Sequence, residues 1–147
     1  MSRHQEILNP FREIQVKFSR IYASILCKSD LTLPQYALLS HLAFQGSKSM
    51  TDASRELHVT KPAITYLADL LEKKKLLKRT PIAGDRRIHK LEVTPKGSGA
   101  VERVQKLVLS FLFKSLEKFD ARAKKTIIAF YKELALTMNA FLAKGKS

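Results

Sequence analysis

Residues 77–97 read LKRTPIAGDRRIHKLEVTPKG. Leu77 to Ile82 and Ile88 to Val93 are two short β-prone runs, and Ala83-Gly84-Asp85-Arg86-Arg87 between them holds the glycine and aspartate that tight turns favour. This spells a β-hairpin with a cationic tip. Thr94-Pro95 then restarts a helix, in which Val101, Val104, Val108, Phe111 and Leu112 form an apolar stripe ending near Phe119. Asp120 can cap a last helix, whose Ile127, Phe130, Tyr131, Leu134, Met138 and Phe141 are expected to face a core.

Upstream of the hairpin lie helices with readable caps. Thr32 and Gln35 have capping-box spacing, so a helix is expected from about Leu33 to Phe44, stopping at Gly46. Ser49 and Asp52 repeat the box for a short helix through Leu57. His58-Val59 follow, and Thr60 caps another helix, with Pro62 near its start, that reaches Lys74. Two short helices joined by a turn of three or four residues are the pattern of a helix-turn-helix. Nearer the N-terminus, Phe11, Ile14, Phe18, Ile21, Tyr22 and Ile25 mark one stripe of a helix over 9–27, with Asn9 as N-cap and Pro10 in the first turn, which leaves residues 1–8 as an arm.

Composition narrows the function classes. The 147 residues carry a formal charge of +14 and 45% hydrophobic residues, enough for one domain with a real core and for a polyanionic partner. Residues 61–96 hold ten basic against four acidic side chains, around the expected turn and hairpin, whereas 31–60 hold two of each. The single cysteine, Cys27, excludes an internal disulfide framework and a multi-thiolate zinc site. No apolar run approaches the ~18 residues a membrane helix needs, and the first residues lack a signal peptide's apolar stretch, so a soluble cytoplasmic protein is expected. The four histidines show no HxxxH or HxH spacing, and no phosphate-binding glycine loop or CxxC occurs, so neither an enzyme, a metal site nor a cofactor is expected.

A helix-turn-helix followed at once by a basic hairpin is a winged helix, and the order of residues resembles the MarR family of transcriptional regulators. Asp85-Arg86-Arg87, the Leu91-Glu92-Val93 strand and Thr94-Pro95-Lys96-Gly97 resemble that family's wing pattern; Leu33-Pro34-Gln35-Tyr36 resembles the start of its second helix, and 63–79 its recognition helix and first wing strand. The resemblance implies a mainly α fold with a small β-hairpin wing: an N-terminal arm and dimerisation helix in 1–30, a winged helix-turn-helix domain in 31–96 and C-terminal dimerisation helices in 97–147. It implies a sequence-specific regulator of a prokaryotic cytoplasm, nucleoid-associated when DNA-bound. As a homodimer it would bind double-stranded DNA at a pseudo-palindromic operator, as a repressor relieved by a small-molecule effector. Where the family often has glycine, in the turn and after the recognition helix, this chain has His58 and Lys75, and a left-handed non-glycine residue costs on the order of 1 kcal/mol.

Candidate contacts follow. Free amides at Thr60 would meet a phosphate, while Lys61, Thr65 and Tyr66 reach the major groove, Tyr66 either touching thymine methyls or packing. Ala63 permits close approach, and Pro62 chiefly starts the helix. Ser54, Arg55, Lys73, Lys74 and Lys78 suit backbone contacts. The resemblance implies that Arg87 enters the minor groove, with Asp85 holding its guanidinium or forming the hairpin turn, and Arg86 on the backbone. Tyr22, Tyr36, His41 and Phe44 either line the effector crevice or are ordinary core. Cys27 is either a redox-sensing thiol or a small buried hydrophobe. A non-specific architectural DNA binder is the alternative from another class, since +14 suits it equally.

Overall fold

The computed structural model describes residues 3–144; positions 1, 2 and 145–147, which the reading above gives to the arm and the C-terminal segment, lie outside the described residues. The chain folds as α1 (Arg3–Lys28), α2 (Leu33–Gln45), β1 (Lys48–Ser49), α3 (Met50–Glu56), α4 (Lys61–Lys73), β2 (Leu77–Ile82), β3 (Asp85–Val93), α5 (Pro95–Leu116) and α6 (Ala121–Lys144). It divides into two compact units, Met1–Val108 and Leu109–Ser147.

The first unit is a winged helix. Its core gathers Leu38, Leu39 and Leu42 of α2, Ala53 of α3, Ile64, Ala68 and Leu71 of α4, Leu77 and Leu91 of the hairpin, and Val101 and Val104 of α5. On α2, α4 and α5 these positions recur at helical spacing, so one face of each of these helices closes on the same interior. The sheet order is β1-β3-β2, all antiparallel, with Lys48 opposite Leu91 and Leu77 opposite Val93. Strand β1 escapes a sequence reading because two residues carry no period.

The caps at Thr32, Ser49 and Thr60 form as expected. At Thr32 both halves of the box are made, Gln35 N–H donating to Thr32 Oγ1 at 3.4 Å and Thr32 N–H to Gln35 Oε1 at 3.1 Å. At Ser49 the box is incomplete, because its hydroxyl donates to Asp52 Oδ2 at 2.8 Å while accepting the Asp52 amide. The expected start of the first helix needs correction. Helix α1 begins six residues before Asn9 and runs through Pro10, so residues 3–8 are helix rather than an extended arm. A proline inside a helix forfeits one backbone bond and crowds the preceding turn, but the apolar repeat of Ile7, Phe11, Ile14 and Phe18 continues across it at helical spacing.

Three helices end in one motif. After α1, α3 and α4 the residues Asp30, His58 and Lys75 take φ of 52°, 55° and 60°. In each, the next amide reaches back five residues: Leu31 to Leu26, Val59 to Ser54 and Leu76 to Leu71, at 2.9, 3.0 and 3.0 Å. This is the Schellman C-cap, which prefers glycine at the left-handed position. At two of the three, both paired residues are buried leucines, Leu26 with Leu31 and Leu71 with Leu76, and that burial offsets the strain. At the helix-turn-helix turn Val59 is exposed, so nothing comparable compensates His58. His58→Gly is therefore expected to raise stability by ~1 kcal/mol, read as a higher urea midpoint; an unchanged midpoint would contradict a strained turn.

The second unit contains α6. Asp120 Oδ1 accepts the Ala123 amide at 2.7 Å and caps the helix as expected. Its apolar stripe does not face a core, however. No α6 residue is buried, Phe141 is 78% exposed, and Phe130 meets Tyr131 edge-on at 5.9 Å on the open surface.

Candidate nucleic-acid interface

Helix α4, the second of the helix-turn-helix, is capped by Thr60, whose Oγ1 accepts the Ala63 amide at 3.3 Å. Pro62 has no donor, so in this first turn the Lys61 amide is the one left to meet an anion, fewer than the expected set of free amides. Lys61, Pro62, Thr65 and Tyr66 are exposed and Ala63 half-buried. Tyr66 is 64% exposed, which excludes the alternative that it packs in the core. The Thr65 hydroxyl donates to Lys61 O at 3.0 Å, leaving its methyl and oxygen lone pairs outward.

The hairpin is tighter than its sequence suggests. Strand β3 already begins at Asp85, opposite Ile82, so Ala83-Gly84 alone forms the loop, with Gly84 at φ 95° and an irregularity at Pro81/Ile82. A two-residue loop of this kind demands a positive φ. Arg86 and Arg87 therefore stand on a strand, and both are exposed. Asp85 Oδ1 accepts the Arg87 backbone amide at 2.9 Å. Of the two roles weighed for Asp85, the turn role is present, and no ion pair joins it to the Arg87 guanidinium among the described residues.

Helix and wing converge. An open recess of about 420 Å³ is lined by Thr65 and Asp69 of α4, Arg87, Ile88 and His89 of β3, Arg79 of β2 and Ser49, Met50 and Thr51. Arg79, which sequence reasoning missed, fastens the two elements: its guanidinium reaches Asp69 at 2.6 Å and Glu72 at 2.7 Å. The i, i+3 carboxylates of α4 were its only signal. Thr51 and His89 carried none.

Other nominated residues sit elsewhere. Ser54 is buried and donates to Thr51 O at 2.8 Å, so its side chain cannot reach a ligand. Arg55 is exposed but paired with Asp52, and Lys78 lies 3.6 Å from Glu92. Lys73 stands twelve residues beyond Lys61, ~18 Å along the helix axis. Lys74 bonds Asp30 and Gln35 and is not free for a phosphate on the duplex.

The four crevice candidates also separate. Tyr36 is buried against Tyr22, ring centroids 6.3 Å apart, and burial pushes its hydroxyl pKa up. Phe44 is exposed, and His41 Nε2 lies 2.6 Å from Glu56 Oε2. An apolar cavity of about 600 Å³ is lined instead by Phe18, Tyr22, Leu26, Cys27, Leu31 and Leu33, among others, so of the four crevice candidates only Tyr22 lies on it. Cys27 is exposed, which overturns its reading as a buried hydrophobe.

His41 and Lys48 together hold the Glu56 carboxyl below the ordinary 4.5 of a glutamate, the hydrogen bond from His41 being the larger influence. A lowered carboxylate pKa contributes stability above the unfolded value that is lost as pH falls through the folded one. Glu56→Gln is thus expected to flatten the loss of stability between about pH 5 and pH 3; an acid limb as steep as the parent's would contradict the pairing.

The comparisons with known proteins agree with this architecture. Residues 29–88 match the family model described as MarR family. Over that stretch, less than half of its length, the chain is similar to the MarR family. Similar proteins include the HTH-type transcriptional repressor MdtR of Bacillus subtilis, 32% identical over 94 residues, 62% of this chain and 61% of MdtR. The chain thus spans under two thirds of that relative's length. Transcriptional regulator Tm0710 of Thermotoga maritima superposes with a TM-score of 0.68 at 28% identity, over 95% of this chain and 98% of that one. S. aureus MepR in its DNA complex shares the fold, with a TM-score of 0.68 at 22% identity, over 87% and 96%.

Proposed function

We propose that this chain is a MarR-family, sequence-specific double-stranded DNA-binding regulator, acting without catalysis. The observation that carries the reading is the recess where Thr65 of the recognition helix and Arg87 of the wing face one open space. An α-helix fits the major groove and an exposed arginine the adjacent minor groove, so one duplex can engage both. The +14 charge supplies salt-dependent affinity. MdtR is a repressor and MepR binds DNA, which supports the same direction of function here.

The active species is a homodimer. Ile7, Phe11, Ile14 and Phe18 on α1, and Phe130, Leu134, Met138 and Phe141 on α6, are all exposed, and apolar stripes of that size call for a partner surface. Two-fold symmetry would pair two recognition helices with a pseudo-palindromic operator. The apolar cavity beside Tyr22 and Cys27 is the place for an effector that relieves repression, in a cytoplasmic, nucleoid-associated protein. Selection of bound sites from a random DNA pool at physiological salt tests the reading. An enriched inverted repeat with half-sites about one helical turn apart is expected; tight binding without enrichment would move the function to an architectural role.

A further inference from the structure

A second cationic site lies at the opposite end of the recognition helix from Thr60. A cavity of about 460 Å³ is lined there by Lys73, Lys74, Lys75, Lys96 and Arg103, with Asp30 the one acidic side chain. Three separate segments supply these charges: the end of α4, the α1–α2 turn and the first turns of α5. Two of the lysines build the walls. Lys74 Nζ ties α4 to the α1–α2 turn through the Asp30 carbonyl, the Asp30 carboxylate at 3.2 Å and Gln35 Oε1 at 3.3 Å. Lys96 Nζ ties α5 to α4 by donating to Lys74 O at 3.0 Å.

Lys73, Lys75 and Arg103 have no such duty. All three are exposed. The Arg103 guanidinium lies back over Gly99, with Nη1 3.5 Å from where a Cβ would stand. Asp30 and Lys75, the left-handed residues in the C-caps of α1 and α4, both line this cavity. Five cations against one paired carboxylate repel one another, and a compact ligand with several negative charges is what offsets that.

We propose that this cavity is a binding site for clustered phosphates, a free polyphosphate group rather than the operator duplex. Its lining contains no aromatic side chain, so it has no platform for a base and recognises the phosphates alone. The cavity volume falls in the range that small-molecule sites occupy. Charge-assisted hydrogen bonds from lysine and a forked guanidinium are the strong kind.

Titration calorimetry of the full chain with inorganic tripolyphosphate, at about 0.15 M salt, tests this. Binding is expected, and the combined variant Lys73→Gln, Lys75→Gln, Arg103→Gln should weaken it by about tenfold or more. Lys61→Gln with Arg87→Gln should leave it unchanged. Lys75→Gly serves as a second variant that relieves backbone strain while removing one charge, so lost binding there cannot come from unfolding. Two results would overturn the proposal. Equal binding by parent and variants would make the cluster solvated surface. Absent tripolyphosphate binding, with weaker duplex binding by the combined variant, would assign these cations to the DNA backbone.

Discussion

Gly97→Ala is expected to destabilise the protein by ~3 kcal/mol, at the upper end of what overpacking costs. A Cβ on Gly97 would stand 2.0 Å from Leu76 O and 2.8 Å from Val93 Cγ1. Neither neighbour can yield cheaply. Leu76 is buried in the C-cap of α4, and its carbonyl already accepts the Thr94 amide at 3.1 Å. Thr94 Oγ1 donates to Lys75 O at 2.7 Å and accepts the Gly97 amide at 3.1 Å, so the start of α5 is pinned to the root of the wing. Making room would lift α5, with Val101 and Val104, off the core. Gly99→Ala is the matched control, since its Cβ would meet only the flexible end of Arg103. It should be neutral or stabilising by up to ~1 kcal/mol through helix propensity. Urea unfolding reads both, and equal midpoints for the two variants would contradict the close approach.

Arg87→Ala is expected to weaken binding to a selected DNA site by about 1–3 kcal/mol, roughly 5- to 150-fold, without loss of stability. The side chain is exposed and makes no ion pair among the described residues, whereas its backbone amide is held by Asp85. Removing the guanidinium therefore takes away a contact to the duplex and nothing the fold depends on. Arg79→Gln differs in kind. Its guanidinium is bonded to Asp69 and Glu72 of α4, so its loss should lower both stability and affinity by freeing the helix from the wing. An Arg87→Ala variant that binds like the parent, by fluorescence anisotropy, would remove the wing from the interface.

The sequence made the winged helix legible because its signals are local. Thr32, Ser49 and Thr60 announce helix starts through their own side-chain bonds, and short β-prone runs on either side of Gly84 announce the hairpin. What stayed hidden depends on distant partners. Ser54 and Arg55 are neighbours on a helix, yet only Ser54 is buried. Lys73 and Lys61 share α4 but stand at its two ends. Phe130 and Phe141 have the period of a core face and are exposed in this chain, because periodicity reports that a surface is apolar and not which molecule covers it. Pro10 misled in the other direction: a helix-start residue by preference, it is carried inside α1 by an apolar repeat that spans it.

In the proposed function α4 and the wing read sequence rather than merely neutralise phosphates. The most direct measurement is the ratio of affinities for the selected site and for a scrambled duplex of equal length, followed across salt concentration. A ratio of about 10³ or more is expected at physiological salt. A ratio near one, with the two affinities falling on the same salt line, would contradict it.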